Sequence, residues 1–296
     1  MKKKGIRLLT GVLIMALMSG VFYGCGNNAK NNEKSTSEVK GVSGTITTLG
    51  SSALQPLVEK SANNFKIKNP NVTINVQGGG SGAGINQVAS GNCDIGNSDV
   101  SAETKLKDKS KLKELKDHKV CGIGFAMVVS KDVKVESLTK EQIKNIFEGK
   151  ITNWKQVGGE NKPINIINRG ASSGTRATFV DTIMDGVKEK SGLGTTQDSS
   201  GAVRTSLKNT EGGISYLALS YLSENIRKDI NVLKINAVEA TNENIVAKKY
   251  PFWSYEHMYT KGEPKGLTKE FLDYMVSEEN KETVKKLGYI PISDFK

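Results

Sequence analysis

Three times in this chain a short apolar run stops at glycine and serine, and a helical apolar spacing begins at once. The three corners are Gly50-Ser51-Ser52-Ala53, Gly78-Gly79-Gly80-Ser81-Gly82 and Arg169-Gly170-Ala171-Ser172-Ser173-Gly174-Thr175. A strand, a tight glycine turn and a helix in that order form the repeating unit of an α/β sheet. The flanking residues agree. Thr45 to Leu49 reads as a strand, and Asn71 to Gln77 alternates Val72, Ile74 and Val76 as a half-buried strand does. Between them Leu54, Leu57, Val58 and Phe65 share one face of a helix over 53–68, with Pro56 in its first turn. A helix through Ile85 and Val88 and a short strand at Asp94-Ile95-Gly96 complete a β-α-β-α-β series.

The alternation continues. His118 to Ser130 holds the run VCGIGFAMVV, long enough for a buried strand that passes from one lobe to another. Thr139 and Gln142 stand at capping-box spacing at the start of a helix over 139–148. Strands are expected at 163–168 and 213–217, a helix at 175–184, an extended aromatic segment at 250–260, and two helices around Phe271 and Val284. No internal repeat appears. The pattern predicts two α/β lobes, one from 44–124 with 256–296 and the other from 125–255, joined by crossing segments near 119–130 and 249–260.

The first 24 residues carry a different message. Lys2, Lys3, Lys4 and Arg7 precede a charge-free run from Leu8 to Tyr23, then Gly24-Cys25. This is the layout of a secretory signal peptide; an uncleaved membrane anchor is the alternative, for which the run is short. A cysteine at the end of the apolar run is similar to a bacterial lipobox, with Cys25 acylated, although Phe22 stands where such motifs usually carry leucine. Residues 25–43 are polar and low in complexity, as a flexible tether would be. The formal charge of +11 falls to +7 once residues 1–24 are removed, 38 basic against 31 acidic side chains. The excess suits a small anion or an anionic envelope. No basic stripe interleaved with aromatics points to nucleic acid. The lysine-rich composition and lipoprotein-style start suggest a Gram-positive cell surface. Cys93 and Cys121 have no metal-ligand spacing and read as two buried thiols, a disulfide being the alternative. With two histidines in all, a histidine-rich metal site is excluded.

The corners also carry chemistry. A helix start exposes unpaired N–H groups and partial positive charge, and serine and threonine hydroxyls add donors. One such corner is ordinary capping. Three in one α/β chain can converge in a cleft at the carboxyl ends of the strands. Arg169, at a strand end, can bind an oxyanion through two parallel hydrogen bonds, or form a surface salt bridge. Arg176 supports either a second charge near the site or a solvated face. Asp99, in Gly96-Asn97-Ser98-Asp99, would repel an anion unless the anion carries a proton. An ionised carboxylate only accepts, so it favours hydrogen phosphate over fully ionised sulfate. A turn or cap role is the alternative for Asp99.

Together with DIGNSD, FEGKITNWKQVGG, NRGASSGTR and GGISYLALS, in this order, the corners resemble the phosphate-binding component of the bacterial Pst-type ABC transporters. The resemblance runs from about Gly44 to the C-terminus. It implies a periplasmic-binding-protein fold of type II, two lobes closing over phosphate, with no cofactor, no metal and no covalent chemistry. It implies partners in a membrane permease with a separate ATPase. Carried to this sequence, it implies that Ser52 donates its hydroxyl and Ala53 its backbone N–H. Ser81 donates from the second corner, Asp99 accepts the ligand's proton, and Arg169 pairs with its charge. Ser173, Gly174 and Thr175 complete the shell. Members of the family often carry threonine and phenylalanine where Ser52 and Ala53 stand.

Three other readings stay open on sequence. The same fold could take sulfate, molybdate or tungstate. Gly170-Ala171-Ser172-Ser173-Gly174 satisfies GxSxG, so Ser172 with His257 could be a serine hydrolase, although the other corners and Asp99 would then be unexplained. A surface adhesin or phosphate sensor could reuse the fold without a permease.

Overall fold

The computed structural model describes residues 42–295, so the signal segment, Cys25 and nearly all of the expected tether lie outside the described residues. Strand β1 (Gly44–Gly50) leads through a turn at 52–54 into α1 (Gln55–Lys68), then β2 (Val72–Gly78), α2 (Ser81–Ala89) and β3 (Ile95–Ser98). Both β2 and β3 pair parallel with β1, so all three strands end at the same edge. That shared edge is why the first two glycine-serine corners meet. Helix α1 starts two residues later than its apolar spacing suggests, because Ser52 to Leu54 form the turn itself. It buries Leu57, Val58 and Phe65.

Two short helices, α3 (Ala102–Lys105) and α4 (Lys109–Glu114), lead into β4 (Leu115–Ser130). This strand is 16 residues long and buried throughout from Val120 onward. It is the shared element of the two halves of the sheet. A small strand β5 (Ser137–Leu138) and helix α5 (Lys140–Phe147) follow, the latter with the capping box between Thr139 and Gln142 in place. Strand β6 (Asn165–Arg169), α6 (Gly174–Thr182), β7 (Thr195–Gln197), α7 (Ser200–Lys208) and β8 (Gly213–Ala218) repeat the strand-corner-helix unit. Here β6 pairs parallel with β7 and β8, while β8 pairs antiparallel with the second stretch of β4, Phe125 to Val129. Short elements α8 (Glu224–Arg227), β9 (Ile230–Val232), β10 (Lys234–Ile235) and α9 (Asn242–Val246) close that half.

The chain then returns as β11 (Trp253–Lys261), followed by α10 (Gly266–Met275), α11 (Glu278–Lys286) and β12 (Tyr289–Pro291). Both β11 and β12 pair antiparallel with the first stretch of β4, and β11 also pairs with β3. The strand order is β2-β1-β3-β11-β4-β8-β6-β7. This is a mixed α/β architecture in which β4 runs through both sheet halves, pairing with β11 and β12 along its first stretch and with β8 and β9 along its second.

Packing fixes the frame. In the second half Phe179 stacks on Tyr216 with ring centroids 4.4 Å apart, and Phe147 and Phe252 close around them. In the first, Phe65 of α1 packs against Phe271 and Tyr274 of α10. Truncating a ring of this kind to alanine costs about 3–5 kcal/mol. Among the described residues no helix is long and apolar enough to cross a membrane, and no group of His, Cys, Asp and Glu could hold a metal ion. Cys93 and Cys121 are free, so the disulfide alternative falls.

Candidate functional site

The first corner is organised by Ser51. Its N–H donates to the Asn97 carbonyl at 2.9 Å, tying the end of β1 to the end of β3. Its Oγ accepts from the backbone N–H groups of Ala53 and Leu54, both at 3.0 Å, and donates to Asp99 Oδ1. The Ala53 N–H, expected on a ligand, is therefore directed at Ser51 Oγ, while the Ala53 carbonyl accepts from Ser220 Oγ at 3.2 Å and Tyr289 Oη at 2.5 Å.

The second corner turns at Gly80, whose φ of +82° suits glycine. Ser81 follows as the first residue of α2. Its Oγ accepts from the Asp99 N–H at 3.0 Å and lies 3.3 Å from Asp99 Oδ1, to which its hydroxyl donates. From the opposite half of the sheet, Thr175 Oγ1 donates to Asp99 Oδ2 at 2.8 Å. Three hydroxyls from three corners thus converge on one buried carboxylate. Asp99 is no helix cap, since Ser101 is the residue before α3. Glycine at 174 is required by contact: a side chain there would strike Ser81 Oγ and come within 2.9 Å of Asp99 Cβ. Ser173 caps α6, its Oγ accepting from the Arg176 N–H at 3.1 Å.

Arg169 ends β6 and is 2% exposed. Its Nε donates to the Gln197 carbonyl at 3.2 Å, and Nη2 to the Asp198 carbonyl at 3.3 Å and Ser52 Oγ at 3.4 Å. Nη1 is buried with no hydrogen-bond partner among the described residues. Among the described residues no carboxylate contacts this buried guanidinium, which removes the surface salt bridge as its role. Burial pulls its pKa down from the usual arginine value. A buried cation without a counter-charge is costly, and an anion in contact with Nη1 would relieve that cost. Ser52 also accepts from the Ser200 N–H at 3.2 Å, and the two hydroxyls lie 3.2 Å apart. Arg176 is not on this cluster; it forks onto buried Glu189 at 2.9–3.2 Å.

The two halves touch directly at this edge. Gly82 N–H donates to the Ser172 carbonyl at 2.8 Å, and Ser172 Oγ donates to the Gly79 carbonyl at 2.8 Å. Lys105 Nζ reaches from α3 to the carbonyls of Ala171 at 2.8 Å and Ser173 at 2.9 Å. The hydroxyl of Ser172 is thus used in joining the halves. His257 instead binds Asp117 through Nδ1 at 2.8 Å. Ser172 has no histidine partner among the described residues, so the nucleophile-base contact of a hydrolase is not formed.

The eight residues assigned to the ligand shell from sequence are all buried at this junction: Ser52, Ala53, Ser81, Asp99, Arg169, Ser173, Gly174 and Thr175. Sequence reasoning passed over Ser51, Ser200 and Lys105. Ser200 stands in a fourth corner, Gln197-Asp198-Ser199-Ser200-Gly201, between β7 and α7. Its serines and glycine after a strand are the same signal as the other three.

The chain matches the family model of the PBP superfamily domain over residues 35–279. It is 43% identical to the phosphate-binding protein PstS of Bacillus subtilis (strain 168), over all of this chain and 97% of that one. It is 27% identical to the PstS of Borreliella burgdorferi, over 95% of this chain and 98% of that one. Among solved structures it is similar to one from Clostridium perfringens, assigned as a phosphate ABC transporter substrate-binding protein with bound phosphate. The TM-score is 0.76 at 32% identity, over 84% of this chain and 100% of the other. An ABC-type phosphate transport receptor from Vibrio cholerae gives 0.66 at 26% identity, with the same coverage. The corners, the shared strand and these likenesses agree: the chain belongs to the PBP superfamily and, within it, to the family of PstS phosphate-binding proteins.

Proposed function

We propose that this chain captures inorganic phosphate as hydrogen phosphate between its two sheet halves and delivers it to the membrane permease of an ABC importer. The lobes would be 44–124 with 256–296, and 125–255. The ligand shell would comprise Ser52, Ala53, Ser81, Asp99, Arg169, Ser173, Gly174 and Thr175. Acylation of Cys25 would hold the protein at the outer face of the cell membrane, with 25–43 as the tether. The kinship with proteins named for phosphate binding supports this reading, as does the use of the Ser172 hydroxyl on the Gly79 carbonyl.

One observation carries it: Arg169, buried, with no carboxylate in contact and with Nη1 unpartnered among the described residues, feels the charge of Asp99, a carboxylate ringed by hydroxyls. The cation attracts the oxyanion. The carboxylate accepts its proton, and so disfavours an anion that has none. Ligand entering an open cleft would contact one lobe first. Closure would then bring the remaining donors and exclude water, which strengthens each charge-assisted bond.

The test is a thermal-shift and calorimetric panel of phosphate, sulfate, molybdate and tungstate on the purified protein. Phosphate at 100 times its Kd should stabilise the fold by about 2.7 kcal/mol, a rise of roughly 5–10 °C. Sulfate at the same concentration should leave the melting temperature unchanged. No shift with millimolar phosphate, or an equal shift with sulfate, would overturn the assignment.

A further inference from the structure

Directly behind Asp99 the sheet buries a second carboxyl group to which the ligand shell above gives no task. Glu256, on β11, is 0% exposed, and neither of its oxygens has a hydrogen-bond partner among the described residues. The pairing of β11 with β3 sets its neighbour. His257 lies opposite Ser98 in an antiparallel register, so Glu256 comes next to Asp99, and side chains opposite one another share a face of the sheet. On its other side, β4 presents Cys121 opposite Glu256, and β12 brings the Tyr289 phenol near. No salt bridge reaches it among the described residues.

We propose that Glu256 is a positioning residue for the oxyanion site, keeping its proton and offering it to Asp99 from behind. An ionised Glu256 would set two buried negative charges side by side with no cation on the second, an arrangement that proteins avoid by neutralising one carboxyl. Burial, then the Asp99 charge, push the Glu256 carboxyl well above the usual range. The neutral acid is a donor. With Ser51 and Thr175 it would fill three of the four lone-pair sites of Asp99, and the Ser81 hydroxyl, 3.3 Å away, would turn to the ligand and free the fourth for the ligand's own hydroxyl. Glu256 would also keep a second negative charge away from the bound anion. This inference rests on the phosphate reading, and its test separates the two.

Three proteins are compared: wild type, Glu256→Gln, which keeps a neutral donor of the same shape, and Glu256→Met, which keeps the volume without the donor. Phosphate and sulfate are titrated by calorimetry at pH 7, and infrared spectra are recorded with and without phosphate. Glu256→Gln should bind phosphate within threefold of wild type. Glu256→Met should lose tenfold or more, with a smaller preference over sulfate. The wild type should show the carbonyl stretch of a protonated carboxyl, absent in Glu256→Gln and shifted by phosphate. The melting temperature of Glu256→Gln relative to wild type should rise from pH 5 to pH 8, because a carboxyl with a raised folded-state pKa loses its stabilising contribution as pH climbs. If Glu256→Met binds as wild type does, or if the protonated band survives in Glu256→Gln, the proposal is wrong. A lower melting temperature in both variants with unchanged affinities and selectivity would make Glu256 purely structural and also overturn it. If wild type itself ignores phosphate, the ligand assignment fails, while the infrared band and the pH comparison still decide the protonation of Glu256.

Discussion

Thr175 Oγ1 donates to Asp99 Oδ2 at 2.8 Å across 76 residues of chain, so the start of α6 in one sheet half completes the carboxylate site of the other. A hydrogen bond to a charged group contributes about 1.5–3 kcal/mol. Thr175→Val keeps the shape and removes that donor. Phosphate affinity should fall about 10-fold or more by calorimetry. An unchanged affinity would remove Thr175 from the site.

Asp99→Asn tests selectivity. The amide carbonyl can still accept from the ligand's hydroxyl, while its NH2 can donate to an oxygen that has no proton. The Thr175 hydroxyl can rotate to accept from the same NH2. Phosphate should weaken by about 10-fold or more, sulfate binding should become measurable, and their ratio should shrink by roughly 100-fold. Equal selectivity in the two proteins would mean that Asp99 does not read the ligand's proton.

Arg169→Lys keeps the charge and discards the planar fork. Lysine cannot hold the carbonyls of Gln197 and Asp198 while directing a second planar N–H at the ligand, as Nε, Nη2 and Nη1 can together. Affinity for phosphate should drop by about 100-fold in Arg169→Lys and become undetectable in Arg169→Met. Wild-type binding in either variant would place the anion elsewhere.

The site was legible in sequence where backbone geometry dictates residue type. Glycine and serine at the ends of β1, β2 and β6 announce turns; parallel pairing brings the first two to one edge, and the third meets them from the other half through Ser172 and Thr175. The division of labour between neighbours was not legible. Ser51 and Ser52 are adjacent on one turn, yet Ser51 serves Asp99 while Ser52 serves Arg169 and Ser200. Which hydroxyl points where depends on turn dihedrals that both residues accept equally. Ser200 was missed because α7 follows a short, largely polar strand with no apolar run to mark it. Glu256 was hidden because β11 is buried on both faces from Glu256 to Thr260, so no apolar-polar alternation marks where its side chain points. The long strand 115–130 was visible as an apolar run, but its pairing with four other strands depends on contacts far apart in sequence.

Cys93 gives a chemical check on the free thiols. Burial and the neighbouring Asp94 push its thiol up to about 11. The thiolate is the reactive form, so at pH 8 only on the order of 1 in 1,000 Cys93 side chains is poised to react. In a Cys25→Ser form, alkylation of the folded protein should be far slower than that of a free cysteine and should accelerate about tenfold per pH unit up to pH 10. Fully buried Cys121 should react only after denaturation. Rapid labelling of one thiol per chain at pH 8 would contradict the packing around Cys93.

Lys105 bears on how long the halves stay together. Its ammonium leaves α3 and donates to two backbone carbonyls of the third corner, Ala171 and Ser173. Burial pulls its pKa down and the Asp99 charge pushes it back up, so the cation gains from the same carboxylate that would read the ligand. Lys105→Met retains the stem and removes both donors. If these bonds form only when the halves meet, their loss should act on opening. Phosphate release in stopped-flow displacement should speed up about tenfold, corresponding to about 1.4 kcal/mol, while the association rate stays within twofold. Slower association with unchanged release would instead assign Lys105 to attracting the anion, and would remove its role in holding the halves closed.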